Sequence, residues 1–237
     1  AGSGPVGMSA PDVTVVIPTR DRWPLLSRTA LRSALGQQDV DHEVVVVLPR
    51  RGNNRLEQQA MDSARHRLIH LLWDADKHQR LGVYWPETDG GTPIYVHSKV
   101  LVVDDRLLRI GSSNFNNRSM GFDSECDVAI EADSRGSEHE DVRRQIASVR
   151  SRLLSEHLGV SVDEFDEAML RCQSLLKAVD ALRGQGKTLR PFTEQTVADE
   201  ASPLAENDLM DPDHVPRSVT RSVQRFIAGL WVDRPGR

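Results

Sequence analysis

The sequence predicts an α/β fold in which a mixed β-sheet is flanked by helices and followed by a helical C-terminal part. Three observations carry that expectation. Short β-branched runs alternate with amphipathic helical patterns through the first half, a polar turn joins two apolar runs near the middle, and the second half repeats apolar residues at helical spacing. With 237 residues the chain can bury a sizeable core.

Residues 13–17 (VTVVI) read as a strand, 24–35 as a helix with Pro24 in its first turn and Gly36 at its end, and 43–48 as a second strand, together a βαβ unit. Leu56, Met61, Ala64, Leu68 and Leu71 mark an amphipathic helix, and 81–84 a short strand. Residues 94–103 are rich in β-branched side chains and read as a strand, Asp104-Asp105 supplies turn chemistry, and 107–110 forms the return arm. A further strand is expected at 127–131. Val142, Ile146, Val149 and Leu153 then form one helical stripe, and Ser161 with Glu164 makes a capping box before a second stripe of Phe165, Met169, Leu176 and Val179. Residues 186–217, rich in Pro, Asp, Glu and Thr, read as an extended loop before a last helix at 219–230.

The hairpin carries the chemistry. Successive strand side chains point to opposite faces, so His97 and Lys99 share one face, where imidazole and ammonium can converge on an anion; phosphate is the usual candidate. The return arm ends in Gly111-Ser112-Ser113-Asn114, where a glycine admits a ligand close to the backbone and small hydroxyl and amide groups can donate to oxygen. Both arms can then address one phosphate.

Residues 97–114 fit His-x-Lys-x4-Asp-x6-Gly-Ser-x-Asn at every fixed position and resemble the HKD motif of the phospholipase D superfamily. The likeness continues through Asn116, Arg118 and Ser119 in NFNNRSM and through DSECD into VAIE. This stretch is similar to the segment downstream of the second HKD motif in bacterial phospholipase D and cardiolipin synthase-like proteins. Upstream, VVVVLPRR, ADKHQRLGVYWP and PIYVHSK also look like that family, so residues 43 to about 235 resemble the C-terminal half of a two-motif enzyme.

The resemblance implies a phospholipase D-like sheet bearing a single HKD half. Its chemistry would be phosphodiester cleavage or phosphatidyl transfer by a phosphohistidine route, in which one histidine attacks phosphorus and another protonates the leaving alcohol. By that resemblance the catalytic set is His97, Lys99, Asp104 and Glu125. His97 takes the acid/base role, Lys99 and Asn114 hold the nonbridging oxygens, Ser112 supports their loop, and Glu125 orients the imidazole. Asp104, the motif's third letter, stands in a hairpin turn and is given a structural role. No metal or cofactor is implied. A second histidine is, and single-motif endonucleases of the superfamily obtain it from a second chain, so a homodimer or a complementary HKD half is the expected partner. The substrate expected is a phospholipid or other phosphodiester. A catalytically silent half-enzyme or chimera is the alternative, with a nuclease or a family 2 glycosyltransferase ranked below it.

The glycosyltransferase reading comes from the N-terminus, where VVIPTRDR resembles the opening of that family. The acidic segment expected after its second strand is replaced here by LPRRGNN, and no Asp-x-Asp motif occurs later in a suitable setting, so the donor site stays incomplete. The resulting division is 1–7 as an expression scar, 8–48 as a glycosyltransferase-like βαβ segment completing the sheet, 49–135 as the HKD core, and 136–237 as its helical extension. A chimeric join is expected near 43–48.

The remaining signals are weaker. His66 and His70 stand one helical turn apart but lack the glutamate and third ligand of a zinc site, and read as a solvated helix face. Arg50, Arg51 and Arg55 form a small basic cluster, and Asp104-Asp105 reads as a turn rather than half a metal site. A net charge of −5 and a pI near 5.9 argue against nucleic acid as partner. Cys126 and Cys172 are expected to be buried thiols, since two cysteines make no disulfide framework. With no apolar run of spanning length and no signal-peptide pattern at the start, the expected location is cytoplasmic or peripheral to a membrane.

Overall fold

A computed structural model of the chain describes residues 13–18, 42–52, 63–114, 119, 123–132 and 139–198. The fold is α/β, with a mixed seven-stranded sheet flanked by helices. Its strands are β1 (Val13–Pro18), β2 (His42–Val47), β3 (Leu81–Glu87), β4 (Lys99–Val103), β5 (Leu107–Gly111), β6 (Asp127–Glu131) and β7 (Thr188–Pro191). Their order across the sheet is β6-β5-β4-β1-β2-β3-β7. β1, β2 and β3 run parallel, and the other pairings are antiparallel.

The N-terminal segment therefore fills the centre of the sheet, with β1 between β4 and β2. Next to it, the uninterrupted run in HEVVVV is what a strand covered on both faces requires. Val45 and Val47 join Tyr84, Val100, Val102, Leu108 and Leu189 in one core. Val44, Val46 and Leu48 point the other way, into a second core with Leu68, Ile69, Leu72, Val83, Phe192 and Val197.

The second core lies under α1 (Ser63–Ala75), whose Leu68, Ile69 and Leu72 repeat at helical spacing. The first is covered by α2 (His139–Leu158), α3 (Val162–Cys172) and α4 (Leu175–Leu182). Ile146, Leu154 and Leu158 of α2 are buried, with the expected stripe residues Val142, Val149 and Leu153 packed beside them. The capping box forms as expected: Ser161 Oγ accepts from Glu164 N at 3.2 Å while Glu164 Oε2 accepts from Ser161 N at 2.8 Å.

Several expectations need correction. Only 99–103 of the expected strand 94–103 is extended strand, so His97 precedes β4 rather than lying in it. The stripe from Phe165 to Val179 spans two helices. Gln173 takes a left-handed conformation (φ 50°), and Ser174 starts α4 with help from β2. Glu43 accepts from Ser174 Oγ at 2.5 Å, Leu175 N at 2.7 Å and Leu176 N at 3.2 Å, a carboxylate placed on the positive end of a helix. The loop expected from 186 contains β7, which pairs antiparallel with β3, and the short helix α5 (Glu194–Ala198). Cys126 is exposed and Cys172 half-buried, so neither is a fully buried thiol. The helices expected at 24–35 and 219–230 lie outside the described residues. Among the described residues, no helix is long and apolar enough to cross a membrane.

Candidate active site

Sheet register places the motif. Pro18 is level with Val47, Val47 with Tyr84, and Val16 with Val102 of antiparallel β4, so β4 begins where β1 and β2 end, while β3 runs on to Glu87. Lys99 thus stands at the carboxyl ends of β1 and β2, beside the second half of β3, at the edge of an α/β sheet where ligands ordinarily bind. In the other direction Lys99 pairs with Gly111, and Gly111 with Asp127. These three residues make a row across β4, β5 and β6 on one face of the sheet.

Although His97 lies outside the strand, it meets Lys99. The ammonium Nζ donates to the His97 carbonyl at 2.6 Å and stands 3.3 Å from ring Nδ1 and 3.4 Å from Nε2. Lys99 is buried and His97 is exposed, with the Tyr95 ring stacked alongside at 6.2 Å between centroids. A buried ammonium with its charge directed at an exposed imidazole makes a place where an anion can bridge the two.

The return arm is clipped to the segment that leads into β6. Ser112 N donates to the Cys126 carbonyl at 3.0 Å, Ser112 Oγ donates to Glu125 Oε2 at 2.5 Å, and Cys126 N donates to Ser112 Oγ at 2.9 Å. The described contact of Glu125 is thus with Ser112, which brings two of the expected site residues together. Asn114 is half-buried, and its Oδ1 is buried with no hydrogen-bond partner among the described residues. A half-turn of that amide would put its NH2 donors at the same place.

Asp104 is far from all of this. Four strand residues, ~17 Å of extended chain from Cα to Cα, separate it from Lys99. It occupies the β4–β5 turn with φ 53°, and its carbonyl accepts from Arg150 at 3.3 Å. Next to it, Asp105 takes two hydrogen bonds from Arg143 at 2.8 Å each, which fastens the turn to α2.

Two residues in the same neighbourhood carried no assignment from sequence. Asp127 accepts from Ser113 N at 3.3 Å and from Ser113 Oγ, and pairs with Arg109 at 2.8 Å. Desolvation works to raise its pKa, but the Ser113 and Arg109 hydrogen bonds outweigh it and hold the carboxyl below its ordinary value. Ser113, the unspecified position of Gly-Ser-x-Asn, is buried. Hairpin register, Gly111 opposite Asp127, was the signal that could have found them.

The secondary candidates resolve differently. Arg50 is buried, donates to the Thr196 carbonyl at 3.2 Å and lies 5.8 Å from the Trp85 and Phe192 rings, whereas Arg51 is exposed and Arg55 lies outside the described residues. Arg50 and Arg51 form no common surface patch. His70 is half-buried edge-on to Trp73 at 5.3 Å, and the His66 side chain lies outside the described residues. Among the described residues, no group of three or more His, Cys, Asp or Glu side chains could hold a metal ion.

Comparison with known proteins agrees with the motif. Phospholipase D zeta 1 of Arabidopsis thaliana is 43% identical over 81 residues, covering 31% of this chain and 7% of that protein. Phospholipase D delta of the same plant is 32% identical over 126 residues, 47% of this chain and 14% of its own length. The chain therefore spans only a small part of these relatives. Among solved structures, phosphatidylserine synthase of Haemophilus influenzae Rd KW20 aligns with a TM-score of 0.43 at 15% identity, over 91% of this chain and 39% of that one. The phospholipase D family model matches residues 85–204, half of the chain and the whole of the hairpin, and on that match the chain belongs to the phospholipase D family.

Proposed function

We propose that this chain supplies one HKD half of a phospholipase D-type active site. The half would cleave or transfer a phospholipid phosphodiester through a phosphohistidine intermediate. The observation that carries the reading is the meeting of exposed His97 with buried Lys99 beside the loop of Ser112 and Asn114. One imidazole attacks phosphorus from a partner half while His97 protonates the departing alkoxide; water, deprotonated by His97, then releases the phosphate from the partner histidine. Lys99 and Asn114 hold the nonbridging oxygens, whose charge grows in the transition state, and Glu125 with Ser112 keeps the loop in register. Asp104 takes no part beyond fixing the hairpin turn.

A single motif needs its complement, and a second copy of the chain related by a twofold axis is the simplest source. Exposed His97 leaves one side of the site open to it. Ile110 of β5 with Val128 and Ile130 of β6, all at least 48% exposed, form an apolar strip on the face of the sheet opposite Lys99. The alternative is a silent half-enzyme, favoured by the presence of only one His-x-Lys-x4-Asp motif in the chain.

Cleavage of phosphatidylcholine and of bis(p-nitrophenyl) phosphate, followed against protein concentration, tests the proposal. The expected result is a specific activity that falls on dilution and is abolished by His97→Asn. Full activity in a dilute monomer, or activity untouched by His97→Asn, refutes the mechanism, and no activity at any concentration supports the silent half.

A further inference from the structure

We propose that Asp127 is a positioning residue for the phosphate loop, acting through Ser113 to fix where Ser112 and Asn114 stand. The inference rests on the phosphate-binding role given above to that loop. Asp127 lies opposite Gly111, and its carboxylate folds back over the glycine: a Cβ built on Gly111 would meet Asp127 Oδ1 at 1.7 Å. From there it takes hydrogen bonds from both Ser113 donors and from Arg109. The carboxylate is thus tied to the chain on both sides of Gly111, at Arg109 before it and Ser113 after it. Ser113 sits between Ser112, which is bound to Glu125, and Asn114, so fixing Ser113 fixes both neighbours.

Chemistry demands a carboxylate here. Three donors converge on Asp127, and an ionised carboxyl has two oxygens that only accept. An asparagine would offer one accepting oxygen and turn an NH2 towards the remaining donors. The shape of the side chain would be kept and the loop would shift, and a displacement near 1 Å at a phosphoryl site can cost about 100-fold in rate.

Titration of the purified chain with inorganic phosphate by calorimetry, alongside hydrolysis of bis(p-nitrophenyl) phosphate, tests this. Asp127→Asn and Ser113→Ala are each expected to weaken phosphate binding about 10-fold. Because they break one connection, the double variant should be no weaker than the worse single variant. If Asp127→Asn fails to fold, Ser113→Ala, which leaves the Arg109 pair intact, carries the test alone. Phosphate affinities within about twofold of the parent chain, or penalties that multiply in the double variant, overturn the inference. Asp127-dependent phosphate binding without diester cleavage supports it while sinking the catalytic reading. Cleavage abolished by His97→Asn yet unchanged, with phosphate affinity, by Asp127→Asn sinks this inference alone. A parent chain that binds no phosphate sinks this inference, and one that also cleaves no diester sinks both.

Discussion

Gly111→Ala measures how tightly β5 and β6 close around the end of the hairpin. The added Cβ would lie 1.7 Å from Asp127 Oδ1, 2.5 Å from its Cγ and 2.7 Å from its Cα. Contacts with Oδ1 and Cγ can be relieved by swinging the Asp127 side chain away, but the Cα is backbone and must shift with β6. Swinging the side chain breaks its bonds to Ser113 and Arg109. Hydrogen bonds to a charged group are worth about 1.5–3 kcal/mol, and a partly exposed ion pair adds at most about 1 kcal/mol. Against this, alanine in a strand gains about 0.5–1 kcal/mol over glycine. The net expectation is a loss of about 1–3 kcal/mol, or roughly 2–10 °C in melting temperature for a chain of this size. Urea unfolding followed by circular dichroism reads it as a lower midpoint at constant slope. In an Asp127→Ala background the penalty should fall by roughly half, since only the backbone contact remains. An unchanged or higher midpoint for Gly111→Ala refutes the close approach of Asp127.

Two further predictions concern the helices on the opposite half of the sheet. Glu43→Ala leaves the start of α4 without the carboxylate acceptor of its three hydrogen bonds to β2 and should cost about 1–3 kcal/mol in chemical denaturation; unchanged amide protection in α4 would count against this cap. His157 titrates below its ordinary 6.5 because burial disfavours the charged ring, and Lys187 adds to the effect against Glu156. Between the lowered value and 6.5 the unfolded chain binds more protons than the folded one, so stability should decline as pH falls through that window. His157→Gln should flatten the decline in melting temperature from about pH 8 to about pH 5, and parallel curves for the two proteins would contradict the burial of the ring.

Much of the site was legible because it is local. The turn at Asp104-Asp105, the return arm, the strand at 127–131 and the Ser161–Glu164 box are set by neighbours within a few residues, and they occur where expected. Failures came where distant segments decide. Residues 188–191 are an edge strand only because β3, about 100 residues earlier, offers its hydrogen bonds. Thr, Leu, Arg and Pro alone carry no such signal. The break at Gln173 interrupts a stripe that periodicity runs straight through, and a carboxylate from β2 receives the start of the helix that follows it. The β-branched neighbours of His97 predict a strand there, but the chain pairs that segment only at an isolated bridge, Pro93 with Glu87, where Ile94 N donates to the Pro86 carbonyl. The contact of His97 with Lys99 survives because the long lysine side chain reaches back to it.

The sequence by itself determined the chemistry on offer: one histidine, one lysine and a glycine-led loop of donors, spaced so that a hairpin brings them to one end. Only the tertiary structure decided where that end lies and what holds it. Strand order sets the motif at the carboxyl ends of β1 and β2, parts Asp104 from the histidine and lysine by the length of a strand, and folds Asp127 over Gly111. Spacing along a chain fixes which groups can share a face, whereas their environment depends on strands that meet only when the sheet closes.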